Sequence, residues 1–293
     1  MPRFAFAVLL ALSFADSAWA GQRVLHESTS MFGRLTVTDE GGGLRSLRFE
    51  PGGLIQSQVR IGRPLELHFD YLEASLASLA LVEAPKRILV VGLGGGAMPM
   101  FLHRVFPAAR IDAVEIDPEV IRVSRRYFGF REGARVRAHA MDGREFVRRS
   151  DGGYDLIFLD AFGSADIPRH LATLEFLELV RDRLSPSGVV VGNVFEPTVN
   201  PLFSAMRRTY AAAFDQLCVL EVPMAVNRIF LARRRVASSI DADLAARVPG
   251  LAARLRLPYR IERFTARGCM RVAEKGEILR DPDATAPAPA AAP

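Results

Sequence analysis

The sequence predicts an α/β protein: a doubly wound, mostly parallel sheet preceded by a small antiparallel β unit. Three observations carry this. From Arg87 onward, strand-like apolar runs alternate with helical stretches, the order that builds βαβ units. Ile88-Leu-Val-Val91 is a continuous apolar run, as in a central strand buried on both faces. Gly92-Leu-Gly-Gly-Gly-Ala97 follows at once, a turn in which the backbone can approach a ligand closely.

The first twenty residues stand apart. Arg3 supplies a positive start, Phe4 to Leu12 an apolar stretch, and Ala18-Trp19-Ala20 a small-x-small cleavage site before Gly21, the order of a secretory signal peptide. Residues 1–20 are therefore excluded from the fold, and export to the periplasm or medium is expected. A misassigned start codon would make the protein cytoplasmic instead. No later window offers about 18 uninterrupted apolar residues, so no membrane span is expected in the mature chain.

Residues 21–72 read as the β unit. Arg34 to Thr38 and Leu44 to Phe49 alternate polar and apolar residues, with turn signals at Glu40 to Gly43 and Pro51 to Gly53. Tyr71 to Val82 has helical spacing, with Pro85 marking the boundary after it. The Rossmann-like domain, placed at 73–235, then alternates. Its strands are expected at Ile88–Val91, Arg110–Glu115, Val136–Ala140, Asp155–Leu159 and Val189–Val194. Its helices are expected at Ala97–Val105, Pro118–Phe128, Glu145–Arg149 and Thr173–Leu184, with Pro186-Ser-Gly188 as a turn. Leu217–Glu221 and Arg228–Ala232 suit an antiparallel pair at one sheet edge. Residues 236–280 are expected to be helical, and 281–293 to form a disordered Ala/Pro tail with nothing to bury.

Composition excludes several classes. The 293 residues carry 49% apolar and 24% charged side chains, ordinary for a globular protein long enough to need no covalent staple. Two cysteines, Cys218 and Cys269, lie far apart and outside any C-x-x-C, which excludes a disulfide framework and a cysteine-rich zinc module. The net charge of +5 comes from scattered arginines. An arginine-rich coding bias explains that more simply than an anionic partner, and nucleic acid is not an expected partner. The five histidines show no metal-ligand spacing, and no metal is expected. Ser164 lacks a G-x-S-x-G context, so no hydrolase triad is proposed.

The glycine loop fits G-x-G-x-x-A, which allows a dinucleotide fold or a tight turn without a ligand; no Lys-Ser/Thr follows, which excludes a P-loop. Glu115 ends the next strand about twenty residues on, where a carboxylate can bind two ribose hydroxyls. Asp142-Gly143 ends the third strand and Asp160 the fourth, so all these features meet at the carboxyl edge of the sheet. A lone aspartate there is usually a helix cap. Together they suit an adenosine ligand with a short charged tail better than a dinucleotide.

Residues 31–233 resemble the spermidine synthase (polyamine aminopropyltransferase) family. The stretches that carry the resemblance are Ile88 to Gly96, Val114-Glu-Ile-Asp-Pro-Glu-Val-Ile121, Asp142-Gly-Arg-Glu-Phe146 and Tyr154-Asp-Leu-Ile-Phe-Leu-Asp160. It implies a class I methyltransferase type of fold. It further implies that Gly92, Gly94, Gly95, Gly96, Glu115, Asp142, Gly143 and Gln56 (or Gln58) hold the donor, with Glu115 on the ribose and Asp142 on adenine. Asp160 would help to deprotonate the attacking amine, while Tyr71, Asp166 and His170 would line the acceptor pocket. Three departures stand out. The loop's usual aspartate is Gly95, Asp-Ser-Ser-Asp-Pro is replaced by Asp160-Ala-Phe-Gly-Ser-Ala-Asp-Ile-Pro168, and Tyr-His-Glu is Tyr71-Leu72-Glu73. The chain thus looks like a divergent branch of the family.

The expected function is aminopropyl transfer from decarboxylated S-adenosylmethionine to a polyamine. The alternatives are a methyltransferase using S-adenosylmethionine, which the loss of the loop acid fits, and a non-catalytic exported nucleoside-binding protein, which the leader fits. The methyltransferase Asn-Pro-Pro-Tyr motif is absent, since Asn193-Val-Phe-Glu196 stands after the fifth strand. The expected partner is a small-molecule amine, and a homodimer is allowed for.

Overall fold

A computed structural model describes residues 22–50, 52–161, 167–270 and 276–282. Strands β1 (Arg23–Ser30), β2 (Gly33–Asp39), β3 (Leu44–Arg48) and β4 (Ile55–Arg60) form an antiparallel sheet in sequential order. Its inner face, Leu35, Val37, Leu47 and Phe49, packs on Val120, Val123 and Phe128. Helix α1 (Asp70–Ser75) runs into a 3-10 turn, Leu76–Ala80, so the stretch expected as one helix tightens half-way.

The remaining elements alternate. They are β5 (Arg87–Val91), α2 (Ala97–Val105), β6 (Arg110–Glu115), α3 (Pro118–Tyr127), β7 (Val136–Ala140), α4 (Gly143–Arg149), β8 (Tyr154–Leu159), α5 (Leu174–Asp182), β9 (Leu184–Phe195), α6 (Phe203–Ala213), β10 (Gln216–Glu221) and β11 (Asn227–Arg233). Helices α7 (Ile240–Arg247), α8 (Leu251–Leu255) and α9 (Glu262–Thr265) follow. The seven-stranded sheet has the order β10-β11-β9-β8-β5-β6-β7. Strand β11 is antiparallel to both neighbours, while β9, β8, β5, β6 and β7 pair in parallel. This is the class I methyltransferase fold.

The sequence pattern accounts for the layers. Along β5, Ile88 and Val90 enter one apolar core, with Phe101 of α2 and Leu244 of α7; Leu89 and Val91 enter the other, with Val147 of α4 and Phe176 of α5. A strand covered on both faces has no polar side to show, hence its unbroken apolar run. Helix starts are capped by side chains: Asp117 accepts the Glu119 N–H with Pro118 in the first turn, and Asp142 accepts that of Glu145.

Three expectations differ from the structure. Pro186-Ser-Gly188 does not end an element: β9 runs through it, and the register with β8 jumps from Tyr154↔Leu184 to Leu156↔Val189, so the turn residues are absorbed as a bulge. Cys218 and Cys269 are joined by a disulfide across 51 residues. Their spacing gave no signal, because the fold supplies the proximity: the N–H of Met270 donates to the Val219 carbonyl and lays that segment along β10. Finally, the segment read as an unburied tail from residue 281 is engaged at its start, where Asp281 pairs with Arg144. Among the described residues, no helix is long and apolar enough to cross a membrane.

Candidate functional site

A cavity of about 310 Å³ opens at the carboxyl edge of the large sheet, within the size range of small-molecule sites. Four of the five parallel strands each hand one feature to it: β5 the glycine loop, β6 Glu115, β7 Asp142 with Gly143, and β8 Asp160. The four-stranded sheet closes the other side with Phe32, Leu47, Phe49 and Gln56. Strand order therefore brings together residues spread over more than a hundred positions.

The glycine loop is held from both sides. Gly92 and Gly94 line the cavity. At Gly92 (φ +97°) a Cβ would lie 2.1 Å from the Asp160 carbonyl oxygen, so only glycine fits between β5 and β8 there. Gly95 faces away from the cavity: its N–H donates to Ser57 Oγ (2.9 Å), and a Cβ would lie 2.9 Å from Phe128 Cδ1. The position expected to carry an acid in this loop is thus filled by a phenyl ring and a strand from the smaller sheet. Gly96 likewise abuts Phe130.

Glu115 accepts the N–H of Leu93 (3.1 Å) through one oxygen and that of Asp117 (3.1 Å) through the other. Burial raises its pKa, and these backbone donors oppose the rise. The carboxylate is thereby fixed between the loop and α3, with lone pairs left for a pair of hydroxyls. Asp142 caps α4 through one oxygen, and its other lies 2.7 Å from His170 Nε2. Gln56 lines the cavity, whereas Gln58 donates to Ser46 Oγ (3.0 Å) within the smaller sheet.

Asp160 is a strongly perturbed carboxylate. Tyr71 Oη donates to one oxygen (3.1 Å) and Asn193 Nδ2 to the other (2.8 Å). Asn193 Oδ1 in turn accepts from Asn227 Nδ2 (2.8 Å). Although partly open to the cavity, Asp160 lies deep among protein atoms; that burial pushes its pKa up to about 6, against the two hydrogen bonds. Burial beside Asp160 also holds the Tyr71 phenol well above its usual range, so it stays a donor.

Of the residues expected at the site, Gly92, Gly94, Glu115, Asp142, Gly143, Asp160, Gln56, Tyr71 and His170 converge on one cavity, while Gly95 and Gly96 back the loop. Asp166 lies outside the described residues. Sequence reasoning missed Asn193 and the aromatic wall Phe32–Phe49, whose ring centroids lie 5.1 Å apart. Asn193 did leave a signal, as a polar residue within the apolar run of β9.

The fold is that of the class I methyltransferases, and the site places an acid at each of three consecutive strand ends. Comparison with known proteins narrows this. The spermine/spermidine synthase domain matches residues 72–230, and the chain belongs to that family. A polyamine aminopropyltransferase of Vibrio vulnificus (strain CMCP6) is 34% identical over 215 residues, 71% of each chain. The human eEF1A lysine and N-terminal methyltransferase is 34% identical over 179 residues, covering 55% of this chain and 26% of that protein. Among solved structures, a probable spermidine synthase from Corynebacterium glutamicum superposes with TM-score 0.69 at 19% identity, over 90% of this chain and 99% of the other. Human methyltransferase-like protein 13 in complex with SAH gives 0.59 at 29% identity, over 66% and 95%.

Proposed function

We propose that the chain transfers the aminopropyl group of decarboxylated S-adenosylmethionine to a polyamine. The observation that carries this is Asp160, a carboxylate raised to about 6 and held by Tyr71 and Asn193 on the wall of the nucleoside cavity. In this reading Glu115 binds the ribose hydroxyls, Asp142 receives the adenine amino group, and Gln56 borders the donor. The acceptor nitrogen attacks the carbon beside the sulfonium, a C–N bond forms, and sulfur leaves with the C–S electron pair as methylthioadenosine. An alkylammonium, with a pKa near 10, has no lone pair and cannot attack; Asp160, ionised above about 6, pairs with it and receives the proton it gives up, which frees the nitrogen lone pair for the sulfonium-bound carbon. The vicinity of a fixed donor and a fixed base supplies the rest, by orientation.

A second reading, methyl transfer from S-adenosylmethionine, is favoured by one observation. The loop position usually occupied by an acid is Gly95, pressed on Phe128 and Ser57, so the loop offers no carboxylate to the donor's ammonium group. Incubation with each donor in turn, and with putrescine, spermidine or cadaverine, separates the two. Methylthioadenosine release with the decarboxylated donor is expected. Release of S-adenosylhomocysteine alone would replace the first reading by the second. Inactivity on every amine with either donor would overturn the aminopropyltransferase reading.

We also propose that the protein is exported and that the mature chain begins at Gly21. The Cys218–Cys269 disulfide supports this, since such bonds persist in oxidising compartments. Mass spectrometry of protein from its native host should find Gly21 as the N-terminus; an intact Met1 or Pro2 would overturn export.

A further inference from the structure

Asp142 has a neighbour that the transfer chemistry leaves without a task. His170, on the 3-10 turn Arg169–Leu171, lines the cavity and lies 2.7 Å from Asp142 Oδ2 through Nε2. An ionised carboxylate only accepts hydrogen bonds, so Nε2 carries the proton whatever the charge of the ring. The imidazole side chain is 45% exposed, so packing alone does not fix it. Its backbone is fixed instead. Arg144 of α4 donates to the His170 carbonyl (3.2 Å) and forms a two-pronged ion pair with Asp281.

The segment that carries Asp281 is itself anchored. Leu279 is 2% exposed; its N–H donates to Thr209 Oγ1 (2.9 Å) and its carbonyl accepts the Leu174 N–H (2.8 Å). The N–H of Asp281 donates to Glu175 Oε2 (2.9 Å). A strap near the C-terminus thus gathers α4, α5 and α6 behind the edge of the cavity where Asp142 stands.

We propose that His170 is a positioning residue that makes the pocket select a 6-amino over a 6-oxo purine, and that the strap Leu279–Asp281 holds it in place through Arg144. The inference rests on the nucleoside reading given above. Capping of α4 occupies only one oxygen of Asp142 and leaves the carboxylate free to turn about its side-chain bonds. The His170 N–H pins the second oxygen and aims its remaining lone pair into the cavity. An adenine amino group donates there; a hypoxanthine oxygen meets a like-charged acceptor. A hydrogen bond to a charged group accounts for a preference of about tenfold to a hundredfold.

Calorimetric titration of the whole protein with 5′-methylthioadenosine and 5′-methylthioinosine tests this. Wild type should prefer the adenine compound by at least about tenfold. His170→Ala should bring the two affinities within about threefold of each other, and His170→Gln, which keeps an N–H donor, should restore most of the preference. Asp281→Asn should lower the preference in the same direction by a smaller factor, with thermal melting reporting that each variant is folded. Equal weakening of both nucleosides in His170→Ala, with their ratio unchanged, would overturn the inference and leave the pocket assignment standing. Failure of wild type to bind either nucleoside would overturn the pocket assignment itself.

Discussion

Replacing Asp160 by asparagine separates chemistry from binding and from folding in one variant. As a base, a positioned carboxylate contributes about 10²–10⁴-fold, so turnover should fall at least a hundredfold. Nucleoside affinity should change less than about threefold, because Glu115 and Asp142 carry that task. Stability follows from the raised pKa. Moving the group from 3.8 to about 6 corresponds to about 3 kcal/mol. Because the folded value is the higher one, this stabilisation is full below pH 3.8 and is lost as pH rises through about 6. At pH 7.5 the buried charge is therefore a cost, and asparagine removes it. Against this, the new amide N–H₂ must face either Tyr71 Oη or Asn193 Nδ2, both donors to the carboxylate, at about 1–3 kcal/mol. The two effects oppose each other at similar size, so the melting temperature should move by only a few degrees. Wild-type activity should rise with pH through about 6 to a plateau, and the variant should lose that inflection. Turnover above a tenth of wild type, or an inflection that survives in the variant, would refute the assignment of Asp160 as the base.

Three further outcomes are expected. Glu115→Ala should weaken methylthioadenosine binding at least tenfold by calorimetry, from the loss of charge-assisted bonds worth about 1.5–3 kcal/mol each; unchanged binding would place the ligand elsewhere. Gly95→Asp should lower the melting temperature without improving affinity for the decarboxylated donor, since its Cβ meets Phe128 at 2.9 Å, and adding Phe128→Ala should recover part of the loss. Cys218→Ser should cost about 4 kcal/mol of stability, by loop closure over 51 residues. Identical melts of wild type with and without reductant would show that this bond contributes nothing.

Much of the large sheet was legible because its rules are local. The apolar run of β5, the glycine loop and the acids at strand ends each follow from burial on both faces and from ligand placement at the carboxyl edge. What escaped is non-local. The pairing of Cys218 with Cys269 depends on the chain returning along β10. The role of Asp281 depends on Leu279 reaching the core between α5 and α6, which an Ala/Pro-rich context hides. The aromatic wall of the cavity comes from Phe32 and Phe49, which lie just outside the strands, in the β1–β2 turn and after β3, where alternation along a strand says nothing of their direction. Even Asn193 was visible only as an exception to its strand, because what it orients is a carboxylate more than thirty residues away.

The two proposed reactions share the nucleoside half of the donor, and they part at the other half. Adenosine is common to both sulfonium donors, and in the proposed reading Glu115 and Asp142 meet it. The tail differs, and the Gly95–Phe128 contact removes from that side the acid that would hold an ammonium group. Among the described residues lining the cavity, the carboxylates are Glu115, Asp142 and Asp160. Among these three, Asp160 is the one left for both the donor's ammonium and the acceptor's proton. A single carboxylate with both oxygens already engaged by Tyr71 and Asn193 serves one of these partners well, not both at once. If it serves the acceptor, its loss lowers kcat and leaves the donor KM alone; if it anchors the donor, KM rises with the loss of rate. The division between those parameters therefore tells which partner Asp160 meets, whereas the transferred group is read from the thioether released, methylthioadenosine or S-adenosylhomocysteine.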